Sequence, residues 1–422
     1  MALGWEEFSL IELSELRAGS AFKTVFQGKD AGDLPFIKVS DMNASTNEFA
    51  IRSANNWVSW GDARRMKAKP FPSGAVVFAK IGEALKHNRV RRLVRETLID
   101  NNMMSATARE KIISPRFLFY LLSNFDIASM ANGTALPYLT VSVLGAVRFL
   151  IPSKTEQERI AWALSVYDDL IENNTRRIAI LEEMARRIFE EWFVHFRAPG
   201  CEGLPLVDSA IGPIPQGWQI KPIGEVFEVT GGGTPSKAEP TYWENGTINW
   251  FTPSDLTSSR SHFLDTSGFQ ITNLGLQKSS ARMFAPYSVM MTSRATLGVF
   301  AINTTPAATN QGFITCLPNA EAPLYFLYFW LRQHAAEFER HASGATFKEI
   351  TKGTFKKLPI DLPPAMLRRA FNETVNSMMG LALNLERQIR NLRAQRDLLL
   401  PKLISGEIDI SAVSASMEEA AE

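Results

Sequence analysis

The chain has 422 residues, 45% of them hydrophobic, with 45 Lys and Arg against 44 Asp and Glu and only two cysteines. At about 150 residues per domain the length exceeds one ordinary core and points to two or three domains, and the hydrophobic fraction excludes a disordered chain. Cys201 and Cys316 are too few for a disulfide framework or a four-cysteine zinc site, the histidines are scattered, and no apolar run approaches the ~20 residues that span a bilayer. The N-terminal stretch has early acids and no secretory order, so the expectation is a cytoplasmic protein with no membrane partner.

Residues 1–150 read as a first globular part of short β-branched and aromatic runs between turns. Phe36–Val39 and Ala75–Phe78 are predicted strands, bounded by turn residues such as Gly28-Lys29-Asp30 and Pro72-Ser73-Gly74. A helix around Arg116–Met130 is expected to close this part. Residues 151–198 read as one long helix. Ser153 with Glu156 three residues on is a capping-box pattern. Apolar residues then recur at alternating steps of four and three: Ile160, Leu164, Tyr167, Ile171, Asn174, Ile178, Leu181, Ala185, Ile188 and Trp192. No proline interrupts until Pro199, and 45 helical residues would reach roughly 65 Å.

Residues 199–213 are a Pro/Gly-rich linker, 214–362 a second globular part, and 363–406 a second long helix. Its frame is Phe371, Val375, Met378, Ala382, Leu385, Ile389, Leu392, Arg396, Leu399 and Leu403, with Pro401 and Ser405-Gly406 marking its end. Residues 407–422 form a polar tail that is expected to fray.

The two halves repeat. Gly133-Thr134 and Gly344-Ala345 lie 211 residues apart, as do Thr140 and Thr351, Pro152 and Pro363, Ile178 and Ile389, and Ile188 and Leu399. Upstream, Gly4-Trp5 recurs as Gly217-Trp218 and Ser40-Asp41-Met42 as Ser254-Asp255-Leu256. One register held this long is a tandem duplication. A four-three seam over four heptads is a coiled-coil seam, although a long amphipathic helix lying on a globular core would show a similar stripe. Two matched helices, each following a globular part, favour mutual antiparallel pairing. The fold class is therefore α+β: two similar mixed α/β domains separated by two long helices pairing as an antiparallel coiled coil, a pseudo-two-fold repeat. Asn174 on the seam either sets the register or faces solvent.

Catalytic signatures are missing. There is no GxxxxGK[ST] loop, GxGxxG opening, GxSxG elbow or HExxH, and no Asn-Pro-Pro-aromatic motif. The expectation is a non-catalytic chain that binds no cofactor or metal. A duplicated recognition molecule on a rigid spacer suits duplex DNA, whose half-sites recur at fixed intervals. Residues 1–150 carry 19 basic and 14 acidic residues, 151–213 carry 7 and 11, 214–362 carry 12 and 11, and 363–422 carry 7 and 8. The first globular part is thus basic and the first helix acidic.

Candidate phosphate contacts are Arg64, Arg65, Lys67 and Lys69, then Lys86, Arg89, Arg91 and Arg92, and in the second part Lys348 with its neighbouring lysines. Any one cluster could equally be a solvated face. Candidate base readers, chosen for their donor–acceptor forks, are Arg294, the pair Asn310-Gln311, and Asn101-Asn102 at the matching place in the first part. These amides could instead be turn formers. The loop Gly231–Lys237, with Thr234, Ser236 and Lys237, is a binding loop or a tight turn.

Taken in order, these features resemble the specificity (S) subunit family of Type I restriction–modification systems. The resemblance is carried by Gly4-Trp5 and Pro215–Trp218, by Gly231–Ser236 followed by Tyr242-Trp243 and Ile248–Trp250, and by Ser254–Leu256 and Thr309–Gly312. It is also carried by the helix start Pro152–Arg159, by Pro363, and by the closing stretch Leu399–Gly406. It implies two target recognition domains reading a split site in double-stranded DNA, with the helices fixing the spacer. It implies two methyltransferase (modification) subunits docked on the helices and restriction/translocase subunits joined through them. S-adenosylmethionine, ATP and Mg would then belong to those partners. The second helix start, Pro363–Arg369, lacks the Glu-Gln-Glu run of the first, so equal engagement of partners is open. A specificity partner of a related double-cutting restriction enzyme, or a protein-binding coiled-coil adaptor, remain alternatives.

Overall fold

The computed structural model describes residues 4–133, 136–259, 261–344 and 348–410. The chain divides into two compact units, one comprising residues up to Thr175 together with those from Gln388 onward, the other Arg176–Arg387. Each long helix is therefore shared between the units. The expected frayed tail lies outside the described residues from 411 on.

In unit 1 a five-stranded sheet runs in the order Ser14–Ala18, Met103–Ala108, Val76–Ala79, Val90–Leu93, Ala50–Ile51. Its last pairing is parallel and the others antiparallel. A three-stranded sheet runs Trp57–Val58, Leu34–Ile37, Leu98–Ile99. A further ladder joins Glu6–Ser9 to Arg148–Ile151, the strand leading into the first long helix. Val76–Ala79 and Leu34–Ile37 are buried on both faces, which is why they read as continuous apolar runs rather than alternating ones. The helix Pro115–Asn124 closes this unit; Ser114 Oγ accepts the Phe117 amide at 3.1 Å, and Pro115 occupies the first turn. The expected longer helix breaks after Asn124 into a single turn, Ile127–Met130.

Unit 2 repeats the plan. Its five strands are Glu228–Gly231, Phe313–Leu317, Val289–Thr292, Phe300–Asn303 and Phe263–Leu264; its three are Phe269–Ile271, Ile248–Phe251 and Ala307–Thr309. Gln219–Pro222 pairs with Pro359–Leu362. The strand orders correspond one to one, so the duplication holds in topology as well as in sequence. The recurring Asp of Ser-Asp-Met and Ser-Asp-Leu has a local reason. Asp41 accepts the amides of Lys38 (2.7 Å) and Asn55 (2.8 Å), and Asp255 accepts those of Thr252 (2.6 Å) and Gly268 (2.8 Å). In each copy one carboxylate ties a turn to a distant loop.

The first long helix is Lys154–Phe189 and the second Ala365–Ile404. Ser153 Oγ accepts the Glu156 amide at 3.4 Å, as the capping pattern suggests. In unit 1, Asp168 meets Arg396 and Asn174 meets Gln388; in unit 2, Phe189 and Phe193 both meet Phe371. In unit 1, as one number rises its partner falls, so there the helices pack antiparallel. Ile160, Leu164, Ile171, Ala185, Phe371, Val375, Ala382, Leu385, Ile389 and Leu403 are buried. Ile178, Leu181, Leu392 and Leu399 are half-buried. Asn174 is buried and donates to Gln388 Oε1 at 3.3 Å.

The frame departs from expectation at three places. Near the end of the first helix the buried residues are Ala185, Phe189 and Phe193, whereas Ile188 and Trp192 are half-buried at the edge of that core. A π turn over Glu190–Val194 goes with this stepping of four, and a seam that drifts at the helical period leaves the strict heptad positions. In the second helix, Pro401 lies inside the helix instead of ending it. It sits in the last turn, where losing one intrahelical bond is all the ring entails; the stop is Gly406, at φ 72°. The Pro/Gly linker also contains a small ladder, Leu206–Val207 with Ile214–Pro215.

Candidate nucleic-acid interface

In unit 2 three loops meet at one corner. The Gly-rich loop after Glu228–Gly231 lies against the strand end at Thr309. Gly233 N donates to Thr309 O at 2.9 Å, and a Cβ on Gly232 would stand 2.1 Å from Asn310 O. Only glycine permits so close a backbone approach. Two indoles fasten the same loop, Trp250 Nε1 to Gly233 O and Trp243 Nε1 to Ser236 O, both at 2.9 Å. Next to it, Asn310 Oδ1 accepts the Gly312 amide at 2.9 Å, closing a turn that presents Gln311. Thr234 Oγ1 donates to Gln311 Oε1 at 2.6 Å. The third loop, after Val289–Thr292, is held by Ser293 N to Gly312 O (2.8 Å) and Ile350 N to Ser293 O (3.0 Å).

Thr234, Ser236, Lys237, Arg294 and Gln311 are all exposed. Thus Thr234, Arg294, Asn310 and Gln311, scattered over nearly 80 residues of sequence, come together. Two of the expected free cations are paired. Arg294 Nη2 lies 3.0 and 2.9 Å from the two oxygens of Glu349, and Lys348 Nζ 2.9 Å from Glu339 Oε1. Asn310 is a turn former.

Unit 1 builds the same corner from other residues. Ser20 N donates to Ile99 O at 2.9 Å, and a Cβ on Gly19 would stand 2.0 Å from Asp100 O. Asp100 Oδ1 accepts the Asn102 amide at 2.9 Å, and Lys80 N donates to Asn102 O at 2.8 Å. The equivalents of Asn310-Gln311 are therefore Asp100-Asn101, one residue earlier than the sequence alignment placed them. Asn101 takes the position of Gln311, and both Asn101 and Asn102 have exposed side chains. Burial raises the Asp100 carboxyl above its usual value.

The basic clusters separate. Arg64 and Lys67 are exposed, with Lys67 at φ 55° in the turn after the helix Trp60–Arg65. Arg65 is exposed but pairs with Asp62 and lies 5.5 Å from the centre of the Phe26 ring. Together with Lys29, it holds the Asp62 carboxyl down at about 2. Lys38, which sequence reasoning did not single out, stands 5.5 Å from the centre of the Phe22 ring, itself stacked on Phe36 at 3.7 Å. Arg65 and Lys38 thus both lie against the loop following Gly19.

Arg91 and Arg92 do not belong to that surface group. They sit on the strand Val90–Leu93 and are half-buried. Arg91 donates to Val90 O (2.8 Å) and Met42 O (3.3 Å), and burial lowers its pKa to about 10. Burial also lowers Arg92. Arg89, just before the strand, is half-buried.

Among the described residues, no group of three His, Cys, Asp or Glu could hold a metal ion, and no helix is long and apolar enough to cross a membrane. Comparison with known proteins is consistent along the chain. The family model for the Type I restriction modification DNA specificity domain matches residues 3–183 and again 215–366. The chain is 25% identical over 417 residues to the Type I restriction enzyme MjaIX specificity subunit of Methanocaldococcus jannaschii, covering 96% of this chain and 94% of that one. It is 23% identical to the HindI specificity subunit of Haemophilus influenzae, covering 96% and 99%. The crystal structure of a Type I restriction-modification S subunit from M. genitalium superposes with a TM-score of 0.62 at 16% identity, covering 95% and 96%. With two copies of the family domain spanning most of its length, the chain belongs to the Type I restriction-modification DNA specificity subunits.

Proposed function

We propose that this DNA-recognition subunit reads a bipartite duplex site, one half with each unit, and that its long helices set the unread interval. The observation that carries this reading is the repeated loop corner. Gly19 and Gly232 hold the same backbone contact in both units, while the side chains around it differ. A shared frame with different outward groups suits two half-sites of different sequence. The readers on this view are Thr234, Ser236, Lys237, Arg294 and Gln311 in unit 2 and Asn101 in unit 1, with Arg64, Arg65, Lys67 and Lys38 contacting phosphate.

The exposed faces of the helices dock two modification subunits, and restriction/translocase subunits join through these. Methylation, ATP hydrolysis and cleavage, with S-adenosylmethionine, ATP and Mg, reside in those partners. The chain itself works in the cytoplasm as a non-catalytic subunit. The test is to assemble the chain with its modification subunits and map the methylated motif. Removing one heptad from each long helix shortens the spacer by about 10 Å, or about three base pairs. A mapped motif whose interval is unchanged would sink the ruler. Binding to duplex DNA should weaken steeply with salt as phosphate contacts release counterions.

A further inference from the structure

The loop corner of unit 2 has a bias in its hydrogen-bonding groups. Gln311 has one acceptor and two donors to offer, but its Oε1 is occupied by the Thr234 hydroxyl at 2.6 Å. Its amide NH2 has no partner among the described residues and offers donors. Arg294 is donor-only. Both of its bonds to Glu349 run from Nη2, so Nε and Nη1 have no partner among the described residues. Both Glu349 oxygens accept from Arg294, and Asn310 Oδ1 accepts the Gly312 amide. The side chain of Arg294 is 48% exposed, while its backbone is fixed. Ala295 follows it at φ 62°, a conformation that non-glycine residues rarely adopt, and donates to Lys348 O at 3.1 Å. The corner therefore sets the Arg294 guanidinium and the Gln311 amide donors on a fixed backbone.

We infer that this corner reads a guanine in the half-site of unit 2, with Arg294 supplying the fork and Glu349 positioning it. In the major groove guanine offers two acceptors, N7 and O6, whereas adenine sets a donor beside N7 and cytosine presents a donor. The two donors of an Arg fork match both guanine acceptors, whereas adenine and cytosine set a donor against them and thymine offers the single acceptor O4. Glu349 holds the guanidinium at Nη2, so its remaining N–H groups meet the base with less side-chain freedom to lose. Unit 1 does not carry this element. At the equivalent backbone bridge it has Ile81 and Tyr138 where unit 2 has Arg294 and Glu349. The guanine is thus assigned to one half-site only.

The inference rests on the proposed function, since it needs DNA as the ligand. The test is genome-wide mapping of methylation by the complex with its modification subunits, comparing wild type, Arg294→Ala, Arg294→Lys and Glu349→Gln. The wild-type motif should contain a G·C pair in the half-site that responds to Arg294. Arg294→Ala should lose about tenfold to a hundredfold of the selectivity at that one position. Glu349→Gln should relax the same position less, with the other half-site and the spacer unchanged.

If Arg294→Ala abolishes methylation altogether, Arg294→Lys decides: it keeps the charge without the fork, and full selectivity in that variant would overturn the assignment. A uniform loss at all sites would make Arg294 a phosphate contact and overturn it too. So would a responding half-site without guanine, or relaxation by Glu349→Gln at a different position. A wild-type complex that methylates no bipartite motif would overturn the proposed function instead.

Discussion

The long helices seat on the two units by different means. In unit 2 the seat is aromatic. Phe189, Phe193 and Phe371 are buried with Phe326 and Phe329 in one core, their rings 5.1 to 6.3 Å apart, and Trp192 packs at its edge. In unit 1 Ile160, Leu164, Leu403 and Ile404 join the apolar core, and a polar cluster lies beside them. Buried Asp168 accepts the Tyr120 hydroxyl at 2.7 Å and Arg396 Nη1 at 3.1 Å, Arg396 lies 4.9 Å from the centre of the Phe49 ring, and Arg393 forks onto Glu48 at 3.0 and 2.6 Å. The tyrosines sit on equivalent helices, yet Tyr328 bonds to His262 Nδ1 at 2.8 Å, and that imidazole bonds through Nε2 to Glu182 on the first long helix at 3.1 Å. One topology thus tolerates two kinds of junction, provided each buried polar group finds a partner.

The contrast can be broken or sharpened by substitution. Phe371→Ala removes a fully buried ring and should destabilise unit 2 by about 3 to 5 kcal/mol. Amide exchange resolved along the chain should open unit 2 and spare unit 1; opening of both to the same degree would erase the distinction. The close glycines should instead behave alike. Gly19→Ala and Gly232→Ala each force a Cβ against a backbone oxygen, and each should cost about 2 to 3 kcal/mol in its own unit by the same readout. A large inequality would show that the two corners are not equivalent.

Asp168→Ala should cost about 2 kcal/mol, since it strips hydrogen bonds from a buried tyrosine and an arginine. Its pH dependence has a definite sign. Burial, outweighing the bonds from Tyr120 and Arg396, raises the Asp168 carboxyl above its ordinary value. The folded chain therefore takes up this proton at higher pH than the unfolded one, and this carboxyl's contribution to stability grows as pH falls through the raised value. Wild type should gain on Asp168→Asn in urea midpoint between pH 7 and pH 4, and a constant gap would count against the raised value. The smallest effect belongs to Glu48 and Arg393, both partly exposed. A double-mutant cycle should give a coupling of about 0.5 to 1 kcal/mol that shrinks in high salt.

Much of this was legible in the sequence because it rests on repetition and period. The 211-residue register located both units, and the four-three spacing located both helices and most of their buried residues. Where the reading slipped, a local change had interrupted the register. The loop at Asp100-Asn101 runs one residue out of step with the rest of the repeat, so Asn102 stood in for Asn101. The buried frame steps by four from Ala185 to Phe189 and Phe193, so Phe189 and Phe193 stand in the core in place of Ile188 and Trp192. Arg91 and Arg92 looked like part of a charge cluster because linear composition does not show that the strand carrying them is half-buried. Glu349 and Lys38 were missed for a different reason: each acts through a partner distant in sequence, and no spacing rule links 294 to 349 or 38 to 22.

The contacts of Gly19 and Gly232 bear on how such a molecule changes over generations. Each brings its loop into backbone contact, in unit 2 with two indoles fastening it, and the exposed side chains at 234 and 311 add one bond between the loops. On the proposed function, replacing them leaves that backbone frame in place while altering what is read, so a lineage can exchange one target for another by substitution at an exposed corner.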